Sequence, residues 1–163
     1  MRIECIINNQ SCHHEADPAM TALDFLRYVV GLTGTKEGCR EGECGACTIM
    51  LNGELVNSCL VPALHLHKAA VVTVEGVAQA DELSRIQKAF VIEGGSQCGF
   101  CTPGMIVSAA KLVEGRRGLD ESTIREFMAG NLCRCTGYGQ IVKSILEAGA
   151  EDEDRGSKMD DGG

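Results

Sequence analysis

Residues 38–48 read GCREGECGACT, and the spacing of their cysteines decides how the rest of the chain is understood. Cys39, Cys44 and Cys47 follow C-x4-C-x2-C, and a distant fourth cysteine, Cys59, comes later. That is the ligand spacing of a [2Fe–2S] cluster. Three thiolates converge from one wrapped loop, while the fourth arrives from a neighbouring element beyond a hairpin. Gly38, Gly42 and Gly45 let backbone N–H groups approach sulfur with no Cβ in the way. Such N–H donors tune the potential of a negatively charged cluster. Lys36 and Arg40 read either as cationic compensation for that charge or as side chains facing water. The competing reading is a four-cysteine zinc site, but zinc sites usually show two short cysteine pairs rather than a triplet and one distant partner.

A second set follows in Cys98-x2-Cys101 and Cys133-x-Cys135. Residues at i and i+3 share a helical face, so one turn leading into a helix presents both Cys98 and Cys101. The helix N-terminus there favours negative charge. Residues at i and i+2 diverge on a helix, which puts Cys133 and Cys135 on a loop, between Gly130-Asn131 and Thr136-Gly137. On spacing alone this set fits either zinc or an iron–sulfur cluster.

The 163-residue chain suits one domain or two small ones. Its aromatic content is only 4%, with no Trp, and ten cysteines are available as staples for a modest core. The N-terminus lacks the pattern of a secretory signal, and no stretch reaches the roughly 18 apolar residues of a membrane span. The expectation is a soluble, cytoplasmic protein, in which clustered cysteines bind metal rather than form disulfides. A twin-arginine signal on a partner remains compatible with export. A net charge of −8 argues against a nucleic-acid partner. Residues 151–163, rich in Asp and Glu, read as a solvated, disordered tail.

The first half reads as strands and tight turns. Residues 2–8 form a β candidate ending at Asn8-Asn9, and Thr21 with Asp24 resembles a capping box opening a helix to about residue 30. Residues 48–51 and 54–57 flank Asn52-Gly53, a strong hairpin signal, and residues 70–75 make another strand. The second half changes period. Leu83, Ile86, Ala89 and Phe90 keep helical spacing until Gly94-Gly95. Thr102-Pro103 reads as an N-cap and first helical position, with Gly115 beyond the helix end. Asp120 caps a third helix ending near Gly130, and residues 140–148 form a fourth. The expected division is residues 1–76, residues 82–150 and the acidic tail, with the boundary near residues 75–81.

GCREGECGACT at 38–48, QCGFCTPG at 97–104 and GNLCRCTGY at 130–138 together resemble the two-cluster subunits of the xanthine dehydrogenase and molybdenum hydroxylase family. The match runs over roughly residues 1–150. It implies an α+β fold: a plant-type ferredoxin-like (β-grasp) domain, then a four-helix domain. It implies two [2Fe–2S] clusters. Cys39, Cys44, Cys47 and Cys59 would hold the flavin-side one, and Cys98, Cys101, Cys133 and Cys135 the molybdenum-side one. Gln97 and Cys135 would lie against the pterin. The implied partners are a large molybdopterin (Mo) subunit and a medium FAD subunit, in a hetero-oligomer such as a dimer of heterotrimers. Electrons would pass from molybdenum to FAD, with a purine or other N-heterocycle as substrate. Nicotinate, an aldehyde or an aromatic CoA thioester are the alternatives. Arg116-Arg117-Gly118 departs from the Pro-containing turn of many members, and EGECGACT differs from the TSHCGACT form of carbon monoxide dehydrogenases.

Cys5 and Cys12 belong to neither set and read as small hydrophobes, with a redox role as the weaker alternative. His13-His14 and His65-x-His67 lack neighbouring carboxylates and read as surface or strand residues. No Ser/His/Asp set and no phosphate-cradling GxxxxGK[ST] loop occurs, so no bond-making centre is expected on the chain. A free ferredoxin-like carrier and a structural zinc module are the competing functions.

Overall fold

The computed structural model describes residues 1–78, 82–116 and 118–156, with side chains through residue 150. Among these residues the architecture is α+β, with a mixed sheet followed by a helical bundle. Strand β1 (Arg2–Ile7) turns at Asn8 and Asn9, whose φ of 51° and 65° are those of a tight hairpin, into β2 (Gln10–Glu15). Strands β3 (Thr48–Leu51) and β4 (Glu54–Asn57) form a second hairpin on Asn52 and Gly53, φ 51° and 84°. Strand β5 (Ala70–Val72) joins the two hairpins, parallel to β1 and antiparallel to β3, in the order β2-β1-β5-β3-β4.

Period-2 alternation puts Ile3, Cys5 and Ile7 on the inner face of β1. They pack with Ile49 and Val71 against Ala22, Phe25 and Leu26. Those last residues lie on helix α1 (Ala22–Asp24) and the π-helical turn (Phe25–Val29) that continues it. Thr21 caps this segment, accepting the Asp24 N–H at 3.1 Å while its hydroxyl donates to the Asp24 carboxylate at 2.8 Å.

Helices α2 (Arg85–Ile92), α3 (Thr102–Val113), α4 (Glu121–Phe127) and α5 (Gly139–Gly156) bury Ile86, Phe90, Met105, Leu112, Ile124, Ile141 and Ile145 in one core. Asp120 caps α4 by accepting the Thr123 N–H at 2.7 Å, as its position implied. Val74 and Val77 already pack on this helical core.

Several local readings shift. Residues 10–15 form a strand that carried no periodic apolar signal, because β2 is an edge strand with only Cys12 buried. The strand expected over 70–75 ends at Val72 and turns into a short 3-10 turn, Val74–Gly76. Helix α2 begins only after Ser84, whose capping box with Gln87 leaves Leu83 outside and half exposed. The N-cap of α3 is Cys101, not Thr102, and Pro103 sits one position further in. The Thr102 hydroxyl is engaged elsewhere, donating to Ser96 Oγ at 2.9 Å. Helix α5 continues to Gly156, past the end expected at residue 148, so residues 151–156 of the tail expected over 151–163 are helical, and its remainder lies outside the described residues. Among the described residues no helix is long and apolar enough to cross a membrane.

Leu23 is fully buried on α1 against Cys47 and Cys59. Leu23→Ala removes that packing and is expected to cost about 2–5 kcal/mol. Denaturant unfolding of the purified chain measures it as a lowered midpoint.

Candidate metal centres

The loop from 38 to 47 is curled by left-handed turns at Arg40, Gly42 and Gly45, φ 59°, 81° and 68°. Its curl brings backbone donors onto Cys39: the N–H groups of Glu41 and Cys44 approach its Sγ at 3.3 and 3.4 Å. These bonds, first that from Glu41, then those from Cys44 and Glu43, pull the Cys39 thiol down to about 7. Gly38 is required by contact. A Cβ there would stand 2.6 Å from Cys44 Sγ.

Cys59 arrives from beyond β4. Ser58 donates both its N–H (3.3 Å) and its hydroxyl (2.7 Å) to the Cys47 carbonyl, which sets the two cysteines side by side. Asn57 Nδ2 holds the far side of the loop through the Gly42 carbonyl at 2.7 Å. Cys47 and Cys59 are buried, whereas Cys39 and Cys44 are partly exposed. Burial, then the neighbouring Cys47, pushes the Cys59 thiol up to about 11.

The second set gathers from two loops. Cys101 occupies the N-cap of the twelve-residue α3, and Cys98 precedes it across a turn at Gly99, φ 82°. Cys133 and Cys135 lie on a loop between the helices, as their spacing implied. That loop is tied by Tyr138, whose hydroxyl accepts the Cys133 N–H and donates to the Asn131 carbonyl, both at 3.0 Å. The Thr136 hydroxyl lies 3.2 Å from Cys133 Sγ. Burial pushes Cys133 up, but hydrogen bonds from Thr136 and the Cys135 N–H outweigh it and leave the thiol lowered. Burial, then Cys133, pushes the Cys101 thiol up to about 12. Cys135 is raised chiefly by Cys98, and both are exposed.

Within each set the thiols feel one another: Cys44 acts on Cys39, Cys47 and Cys39 on Cys59, Cys133 and Cys98 on Cys101, and Cys98 and Cys133 on Cys135. Among the described residues no three His, Cys, Asp or Glu side chains converge on one point. Four mutually close cysteines in each set suit a two-iron cluster with four cysteine ligands. The donor chemistry and the close glycine approach therefore fit two such clusters.

The two ligand loops touch. Leu132 N–H donates to the Cys44 carbonyl at 2.9 Å, immediately before Cys133. The adjacent Asn131 is buried; its Nδ2 donates to the Gly45 carbonyl (3.0 Å) and Thr48 Oγ1 (3.2 Å), and its Oδ1 accepts from Ser108 at 2.8 Å. A Cβ on Gly104 would meet the Gly45 carbonyl at 2.2 Å, and one on Gly45 would meet the Gly130 carbonyl at 2.3 Å.

Other candidates separate cleanly. Gln97 is exposed beside Cys98. Cys5 and Cys12 face each other across β1 and β2, both buried, and burial followed by Cys12 pushes Cys5 up to about 12. That is the behaviour of small hydrophobes rather than reactive thiols. His67 Nδ1 accepts the Glu4 N–H at 3.2 Å, a role in packing the sheet. Asn131, Ser108 and Tyr138 escaped the sequence reading. The available signal was a polar Asn inside an otherwise cysteine- and glycine-rich loop, with no partner visible along the chain.

Residues 5–71 match the 2Fe-2S iron-sulfur cluster binding domain, and residues 73–146 the [2Fe-2S] binding domain. The nicotinate dehydrogenase small FeS subunit of Eubacterium barkeri is 43% identical over 142 residues, 87% of this chain and 90% of the relative. The xanthine dehydrogenase iron-sulfur-binding subunit of Escherichia coli O157:H7 is 42% identical over 147 residues, 89% and 92% of the two chains. Among solved structures, quinoline 2-oxidoreductase from Pseudomonas putida 86 superposes with a TM-score of 0.91 at 43% identity, covering 96% of this chain and 97% of that one.

Gly104→Ala forces the two loops apart and is expected to cost about 1–3 kcal/mol. Faster hydrogen exchange at the Leu132 amide, with the α4 amides unchanged, reads the opening of this joint.

Proposed function

Since the chain belongs to the small [2Fe–2S] electron-transfer subunits of the xanthine dehydrogenase and molybdenum hydroxylase family, we propose a division of labour among its own residues. Cys39, Cys44, Cys47 and Cys59 hold the flavin-side cluster in residues 1–76. Cys98, Cys101, Cys133 and Cys135 hold the molybdenum-side cluster in residues 82–150. Gln97 and Cys135 lie against the pterin of a large molybdopterin subunit, and a medium subunit carries FAD. The observation that carries this reading is the Leu132 to Cys44 hydrogen bond, which joins one ligand loop directly to the other.

A bound [2Fe–2S] cluster supplies reversible one-electron chemistry. The chain contributes the rest. The N–H groups aimed at Cys39 stabilise negative charge on sulfur, and burial of Cys47 and Cys59 keeps water from that side. Cys98, Gln97 and Cys135 are all exposed, and Cys135 lies close to Cys98, which supports their reading as the side on which a partner seats. The buried joint holds the two loops at a constant separation.

Substrate chemistry takes place on a partner. Nicotinate, xanthine and quinoline, named in three relatives, are all nitrogen heterocycles, the class proposed here, and aldehyde oxidoreductases of similar identity make an aldehyde the alternative. The assembly is a hetero-oligomer, a dimer of heterotrimers being the form proposed. Eight reduced thiols suit the cytoplasm.

Anaerobically purified complex is expected to contain about four irons per small chain and two distinguishable spin-half EPR signals after reduction. Gel filtration is expected to show co-elution with molybdenum- and flavin-containing chains. A colourless, zinc-bearing protein or a small chain migrating alone contradicts the proposal. Cys135→Ala is expected to slow electron arrival from molybdenum while the signal of the Cys39 set persists. Simultaneous loss of both signals contradicts the assignment of separate ligand sets.

A further inference from the structure

Arg40 occupies the position between the first ligand cysteine and the N–H group that approaches it. Its φ of 59° is one that a non-glycine residue rarely adopts. Its side chain is not free in solvent. Nη1 and Nη2 grip both oxygens of Asp24 at 3.2 and 2.7 Å, and Nε meets Glu37 at 2.6 Å. Both carboxylates are themselves anchored. Thr21 Oγ1 donates to Asp24 at 2.8 Å, and the Tyr28 hydroxyl to Glu37 at 3.2 Å. A planar guanidinium held bidentately on one carboxylate and by a second has a defined direction, unlike an isolated surface pair. One cation between two anions leaves a net negative cluster, so Arg40 is a poor source of positive charge for the neighbouring thiolates.

Resting on the cluster assignment above, we propose that Arg40 is a positioning residue. Clasped by Asp24 and Glu37, it holds its own left-handed turn so that the following N–H groups aim at Cys39 Sγ, and this sets the reduction potential of the first centre. N–H donors at a ligand sulfur favour the form carrying the extra electron. Loosening the clasp therefore lowers the potential, whichever partner is removed. A simple surface charge behaves differently: loss of the cation lowers the potential, and loss of an anion raises it.

The test is an EPR-monitored redox titration of the intact complex, wild type against Arg40→Gln, Asp24→Asn and Arg40→Gly. The second centre serves as an internal control. The expected result is a negative shift of the first centre in both Arg40→Gln and Asp24→Asn. Its size is a roughly tenfold change in the oxidised-to-reduced ratio at fixed poise, about 59 mV for one electron. Arg40→Gly, which takes a positive φ without a clasp, is expected to stay nearer to wild type. Opposite shifts, no shift, or a glycine variant displaced as far as Arg40→Gln overturn the proposal. If Arg40→Gln and Asp24→Asn lose the first signal altogether, Arg40→Gly decides: a retained signal supports the clasp and a lost one refutes it. Absence of two signals in the wild type refutes the cluster assignment instead, a separate outcome.

Discussion

Everything in this molecule that concerns two redox sites rather than one depends on a small polar joint. The Leu132 N–H and the Asn131 amide reach across to the carbonyls of Cys44 and Gly45, in the loop of the other cysteine set. A buried primary amide without partners is costly, and Asn131 makes three bonds, so the arrangement is well determined. Glycines make the approach possible. At Gly45 and Gly104 any side chain would enter the backbone opposite. The small residues and the polar residue act together: the first permit contact and the second fixes its register.

The two thiol sets differ in how they meet solvent. In the first, the Cys47 and Cys59 pair is buried beneath Leu23, and the Cys39 and Cys44 pair lies nearer the surface. In the second, Cys101 and Cys133 are half-buried against the helical core, and Cys98 and Cys135 are exposed. Each set thus has an inner and an outer pair. Negative charge on the outer sulfurs is met by backbone N–H groups at Cys39, while the second set has the N-terminus of α3 beneath Cys101. An electron carrier needs both features: burial that limits reorganisation of water, and an outward edge on which partners can seat.

Local signals were legible where a few adjacent residues carry the physics. Asn52-Gly53 and Asn8-Asn9 adopt the positive φ that tight hairpins need, and Thr21 and Asp120 cap the helices they precede. Thiol spacing was equally readable, since C-x4-C-x2-C with glycines is a statement about one loop. Strand β2 was not legible because an edge strand need bury only one residue, and Thr102 was misplaced because its hydroxyl is drawn to Ser96. The bonds of Asn131 to Gly45 and of Arg40 to Asp24 were not legible, since those partners lie 86 and 16 positions away.

The sequence by itself determined that a C-x4-C-x2-C loop lies in the first half, that two short cysteine pairs lie in the second, and that a sheet precedes a helical bundle. Those properties reside in spacing, period and turn chemistry, all of them short-range. Only the tertiary structure decided that one ligand loop hydrogen-bonds to the other and that Arg40 is clasped between two anchored carboxylates. These contacts join residues such as Gly45 and Asn131, 86 positions apart, and no local preference encodes a contact at that range. Packing of the two hydrophobic cores brings such residues together, and the hydrogen bonds then select a single arrangement.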